Sequence, residues 1–75
     1  MTDRYDVIAL PSLTGALRAE GFLQNAGVPA RVVKLPAGST KKGCAYGLEM
    51  PGVYLDDALR MIEGARIRHG EVLRS

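Results

Sequence analysis

Tryptophan is absent from this chain, phenylalanine occurs once, and so do cysteine and histidine. Each scarcity excludes something. Three tyrosines and one phenylalanine give no aromatic platform on which bases could stack, so nucleic acid is not an expected partner. A single cysteine rules out an intramolecular disulfide, and the fold must stand on packing alone, in keeping with a reducing cytoplasm. Cys44 and His69 together are too few ligands for a structural zinc site within one chain, and neither a metal nor a cofactor is expected. No apolar run approaches the roughly 18 residues of a membrane span, and the N-terminal MTDRYD lacks a signal-peptide core. A cytoplasmic location away from membranes is the expectation. The formal net charge of +2 is too small to imply a polyanionic partner.

What is present is ordinary globular composition. Of 75 residues, 47% are hydrophobic and 24% charged, which suits one domain over residues 1–75 with one core. Tyr5-Asp6-Val7-Ile8-Ala9-Leu10 reads as a strand that is apolar on both sides, the pattern of a central strand. Pro11-Ser12 ends it, and Ser12 or Thr14 can cap the helix that follows. Leu13, Ala16, Leu17, Glu20, Leu23 and Ala26 fall at three- and four-residue spacing and predict a helix to about Ala26, with Gly27 as its stop.

Ala30 to Leu35 alternates and is rich in β-branched residues, predicting a second strand. Pro36 to Gly43 is a loop by its Pro, Gly, Ser and Thr content. Ala45 to Met50 alternates again, a third strand broken by Pro51-Gly52. Leu55, Ala58, Leu59 and Ile62 mark a second helix, with Asp56 and Asp57 in the turn where the helix dipole favours them. A short strand near Gly70 to Arg74 closes the chain. The order β-α-β-β-α-β is the ferredoxin-like arrangement of the α+β class: a four-stranded antiparallel sheet with both helices on one face. The first strand also offers apolar groups to the other face, which favours a homodimer covering it.

Cys44 stands where the loop becomes the third strand, directly after Lys41-Lys42-Gly43. Free cysteine normally hides in apolar runs as a small hydrophobe. Nearby positive charge instead favours the thiolate, the form that attacks, carries sulfur or binds metal. The topology puts Cys44 at the same sheet end as the turn Ser12-Leu13-Thr14 into the first helix and the exit of the second, with Arg66, Arg68 and His69. The helix start adds unpaired N–H groups and partial positive charge. The expected site is therefore Cys44, supported by Lys41, Lys42, Ser12, Leu13, Thr14 and His69. His69, beside Gly70, also reads as an ordinary surface side chain. Glu20, on the apolar stripe, reads better as a snorkelling helix residue than as a base or hydrogen-bond anchor.

Ser12, Ala16, Glu20, Gly27-Val28-Pro29, Pro36 and the run Cys44-Ala45, Gly47-Leu48 together resemble a known family: the small selenium/sulfur carrier-like domains of bacteria and archaea. This chain has Ala45 where the family usually has glycine, and Gly47 where it usually has alanine. The resemblance implies carriage of sulfur or selenium on Cys44, with donor and acceptor proteins as partners, rather than turnover of a substrate. An exposed loop can enter a partner's site, and no second cysteine is available to discharge the adduct as an internal disulfide. The alternative, from another class, is a non-catalytic regulatory or interaction module in which Cys44 is packing and the sheet face is functional.

Overall fold

The structure, a computed structural model, describes residues 4–74. Met1 to Asp3, and with them the start of the segment read above for a signal sequence, lie outside the described residues, as does Ser75. The elements run β1 (Tyr5–Leu10), α1 (Leu13–Asn25), β2 (Arg31–Lys34), β3 (Tyr46–Pro51), α2 (Leu55–Gly64) and β4 (Val72–Leu73), with a single 3₁₀ turn at Gly52–Tyr54 before α2. The four strands form one antiparallel sheet in the order β2-β3-β1-β4. This is the α+β ferredoxin-like fold that the order of elements predicts. Among the described residues no helix is long and apolar enough to cross a membrane.

Alternation decides which side chains meet. Ile8 and Leu10 of β1, with Leu48 and Met50 of β3, are buried against Ala16, Ala19 and Leu23 of α1 and Leu55, Ala58 and Ile62 of α2. Each large aliphatic side chain so buried contributes about 1.5–3 kcal/mol. A shortest dimension of 16 Å fits two layers. Val7, Val33, Leu35 and Leu73 belong to no part of that core; their places along the strands put them on the opposite face, where they are half-buried. At Gly47 on that face an added Cβ would sit 2.5 Å from Val7 Cγ1, so any other residue there would force Val7 to shift.

The apolar stripe of α1 differs from the expected one. Ala16, Ala19 and Leu23 are buried, whereas Leu13 and Leu17 are 43% and 51% exposed. Small residues at 16 and 19 let the helix axis approach the sheet closely, which turns the two leucines to the side. Glu20 also departs from expectation. Its Oε2 accepts the backbone N–H of Val32 at 2.9 Å. Because β2 is an edge strand whose inward bonds go to β3, this N–H points away from the ladder, and the carboxylate covers an otherwise open edge. Glu20 is a hydrogen-bond anchor, not a snorkelling residue. α2 buries Leu55, Ala58 and Ile62 as the spacing predicts, with Asp56 and Asp57 in its first turn.

β4 is shorter than the predicted run from Gly70. The N–H of Gly70 donates to Ala9 O at 2.7 Å, while the N–H of Ala9 donates to Glu71 O at 2.8 Å. Two residues thus face one, the pattern of a β-bulge, and regular pairing begins only at Val72,.

Candidate functional site

The loop after β2 is folded by its own polar residues. Ser39 donates from both N–H (3.1 Å) and Oγ (2.7 Å) to Pro36 O. Gly43 N–H closes a turn on Thr40 O at 3.3 Å, and Gly43 takes a φ of 73°, open to glycine at little cost,. Thr40 is buried, and its Oγ1 accepts the N–H of Cys44 at 2.8 Å. The backbone of the cysteine is therefore pinned from within its own loop. A second tie comes from the bulge: Glu71 Oε1 accepts the N–H of Lys41 at 3.0 Å.

The thiol of Cys44 is free and half-buried. It lies against the bulge: a Cβ built on Gly70 would stand 3.2 Å from Cys44 Sγ and 3.8 Å from Ala9 Cβ. Ala9 belongs to the sheet face away from the helices, so the sulfur rests over the corner of that face rather than beneath α1 and α2. Around it is a depression of about 420 Å³ lined by Pro11, Lys42, Gly43, Cys44, Arg68, His69 and Gly70.

Of the residues expected at the site, Cys44, Lys42 and His69 share this lining. Lys41 is exposed next to it, contributing its N–H to Glu71. The turn into α1 supplies Pro11 to the lining, whereas Ser12, Leu13 and Thr14 do not reach it. Ser12 is instead the N-cap, its Oγ accepting the N–H of Gly15 at 3.1 Å; Leu13 and Thr14 are exposed. His69 is no loose surface residue. Its Nδ1 donates to Gly70 O at 2.9 Å, and Nε2 faces Glu63 Oε2 at 3.2 Å, which holds the ring at the rim.

Six contributors stand outside the expected site residues: Pro11, Gly43, Arg68 and Gly70 in the lining, and Thr40 and Glu71, which tie down the loop. Arg68 had a signal, since it sits beside His69 in the basic exit of α2. Gly70, Thr40 and Glu71 had none, because their roles arise from a bulge and a loop that only the fold brings together. Among the described residues no group of three His, Cys, Asp or Glu side chains is placed to hold a metal ion. A second depression of about 580 Å³ opens at the other end of the sheet, lined by Tyr5, Gly27, Pro29, Arg31 and Glu49 among others. Arg31 and Glu49 pair there at 3.1 Å, so its charges are mutually satisfied. The basic side chains beside the thiol have no such carboxylate in the lining.

A thiol open to a basic concavity is able to attack an electrophilic sulfur or hold one, and the comparisons with known proteins bear on which chemistry applies. Nothing among curated proteins or solved structures matches the chain. The sequence profile of one family, however, matches residues 4–74, almost the whole chain. By that match, the chain belongs to the family described as putative Se/S carrier protein-like.

Proposed function

We propose that this protein carries sulfur or selenium on Cys44 and hands it to a partner enzyme. The observation that carries the reading is the free thiol half-buried in an open depression at the edge of a loop, in a chain of this family. Loading is attack of the Cys44 thiolate on the terminal sulfur of a donor persulfide. A new S–S bond forms to Sγ, the donor's S–S bond breaks, and its electron pair leaves on the donor thiolate. Release to an acceptor is the same exchange in the other direction. With one cysteine in the chain, no internal thiol discharges the adduct, so the cargo stays until a partner takes it. Lys42 and His69 border the thiol in this reading, while Lys41 and the α1 start at Ser12, Leu13 and Thr14 act from further off. The protein is a carrier rather than an enzyme, and it works in the cytoplasm.

The test is mass spectrometry of the reduced protein after incubation with a cysteine desulfurase and its substrate. A gain of about 32 daltons for sulfur, or about 80 for selenium, is expected on wild type and not on Cys44→Ser. Changing Lys41 and Lys42 together to Ala should slow loading without removing it, because exposed charges act through screening water. If Cys44→Ser unfolds the chain, or wild type takes no adduct, the cysteine is packing and the interaction-module reading takes its place.

The same reading has a second copy covering the face that carries Val7, Val33, Leu35 and Leu73. Sedimentation equilibrium showing a monomer at high micromolar concentration would remove that part alone.

A further inference from the structure

We propose that the depression around Cys44 binds a small sulfane-sulfur anion of the thiosulfonate class, which loads the thiol directly. This rests on the carrier reading for what happens at the sulfur, and it adds the chemistry of the donor.

Charge is the first observation. Lys42, Arg68 and His69 share the lining with the thiol, and no carboxylate does. The two acids nearest in the chain are engaged elsewhere: Glu63 faces His69 Nε2 on its outer side, and Glu71 accepts the Lys41 N–H. Arg4, Arg31 and Arg60 each reach a carboxylate, at 3.6, 3.1 and 2.9 Å. Arg68 and Lys42 have no ion-pair or hydrogen-bond partner among the described residues. Two cationic residues of the lining, both exposed, are thus left without a counter-charge, and positive charge around a concavity attracts an anion.

Shape is the second. A volume of about 420 Å³ has ample room for an anion of a few heavy atoms with water around it. The contact of 3.2 Å between Sγ and a Cβ at Gly70 shows that any side chain there would press on the sulfur. Glycine keeps the thiol's flank clear. The forked donors of an arginine match a sulfonyl group, which offers several acceptor oxygens, better than the single charged atom of a protein persulfide.

The reaction balances without an outside oxidant or reductant. The Cys44 thiolate attacks the terminal sulfur of the donor, forming an S–S bond to Sγ. The bond from that sulfur to the sulfonyl sulfur breaks, and its electron pair leaves as a sulfinate, which is sulfite when the donor is thiosulfate. Cys44 is left as the persulfide, and total charge is unchanged. Negative charge grows on the sulfonyl oxygens as they depart, where Arg68 and Lys42 stabilise it.

The experiment incubates the reduced protein with thiosulfate and follows both released sulfite and the mass gain on Cys44. Iodoacetamide, an uncharged reagent, measures reactivity of the same thiol in parallel. In the Arg68→Ala, Lys42→Ala double variant, the rate ratio of thiosulfate loading to alkylation should fall about tenfold or more relative to wild type. Raising the salt from about 50 to about 500 mM should lower that ratio in wild type too, since screening weakens anion capture. A ratio unmoved by both the substitutions and the salt overturns the proposal. So does a wild type that loads from a desulfurase but not from thiosulfate, which leaves the carrier reading standing. Loading from neither donor removes both.

Discussion

α1 and α2 end in the same hydrogen-bond pattern, at opposite ends of the sheet, with different residues. At the end of α1, Gly27 N–H donates to Gln24 O at 3.0 Å and Val28 N–H to Leu23 O at 2.9 Å. At the end of α2, Arg66 N–H donates to Glu63 O and Ile67 N–H to Ile62 O, both at 3.0 Å. These are paired Schellman bonds, and the apolar residues that flank each turn, Leu23 and Val28 in one and Ile62 and Ile67 in the other, are buried in the core,. The residue that turns left-handed is Gly27 at φ 89° in one case and Arg66 at φ 59° in the other. Glycine takes that conformation freely; a residue with a Cβ is strained there. The end of the sheet remote from Cys44 is thus closed by the cheaper residue. The exit that leads within four residues to Arg68, His69 and Gly70 is turned by a costlier one. A Cβ confines the left-handed region narrowly, so Arg66 sets the direction of that segment more tightly than glycine would.

Substitutions can break this comparison or sharpen it. The largest effect belongs to the buried apolar residues at the two turns. Leu23→Ala and Ile62→Ala should each cost about 2–5 kcal/mol in urea unfolding, since both side chains are fully buried,. If one cost far less than the other, the two exits would not be equivalent supports. Next come the turning residues, which should move stability in opposite directions. Gly27→Ala should destabilise by about 1 kcal/mol, because φ 89° excludes a Cβ without strain,. Arg66→Gly should stabilise by about 0.5 kcal/mol, strain relief being partly offset by a freer unfolded chain. A loss of stability in Arg66→Gly would mean that the arginine makes a contribution beyond its backbone.

Smaller still on stability are changes at the thiol's own floor. Gly70→Ala should shift unfolding by under about 1 kcal/mol, since its one tight contact is with a side-chain sulfur that can give way,. It should nonetheless change the alkylation rate of Cys44 several-fold, whereas Gly27→Ala at the remote end should leave that rate alone. Equal rates in wild type and Gly70→Ala would place the reactive position of the sulfur away from the bulge. Cys44→Ser should have the least effect on unfolding, within about 0.5 kcal/mol, because the thiol lies outside the main core,.

The strands and helices were legible because each is specified by neighbours in the chain. Alternation in Ala45 to Met50 and the three-and-four spacing of Leu55, Ala58 and Ile62 are local hydrogen-bonding geometry written as hydrophobicity. Gly27 announced one helix end. Arg66 hid the other, since nothing in its type signals a left-handed residue. Glu20 was misread for a similar reason: its partner, the N–H of Val32, is an edge group only because β2 falls outermost in the sheet. Asp6 was passed over inside an apolar strand, yet it is 1% exposed.

The chain by itself determined the order of its elements, the ferredoxin-like topology that follows from that order, and Cys44 as its one free thiol. Periodicity and turn chemistry act over a few residues, so a single sequence carries them in full. Tertiary structure alone decided what the thiol meets. It placed Gly70, more than 20 positions along the chain, against the Cys44 sulfur while leaving Ser12, Leu13 and Thr14 outside the lining. It also made a bulge opposite Ala9 that turns Glu71 toward the loop. Such contacts depend on strand order, register and the close approach of small residues, and these are properties of the packed whole rather than of any local run.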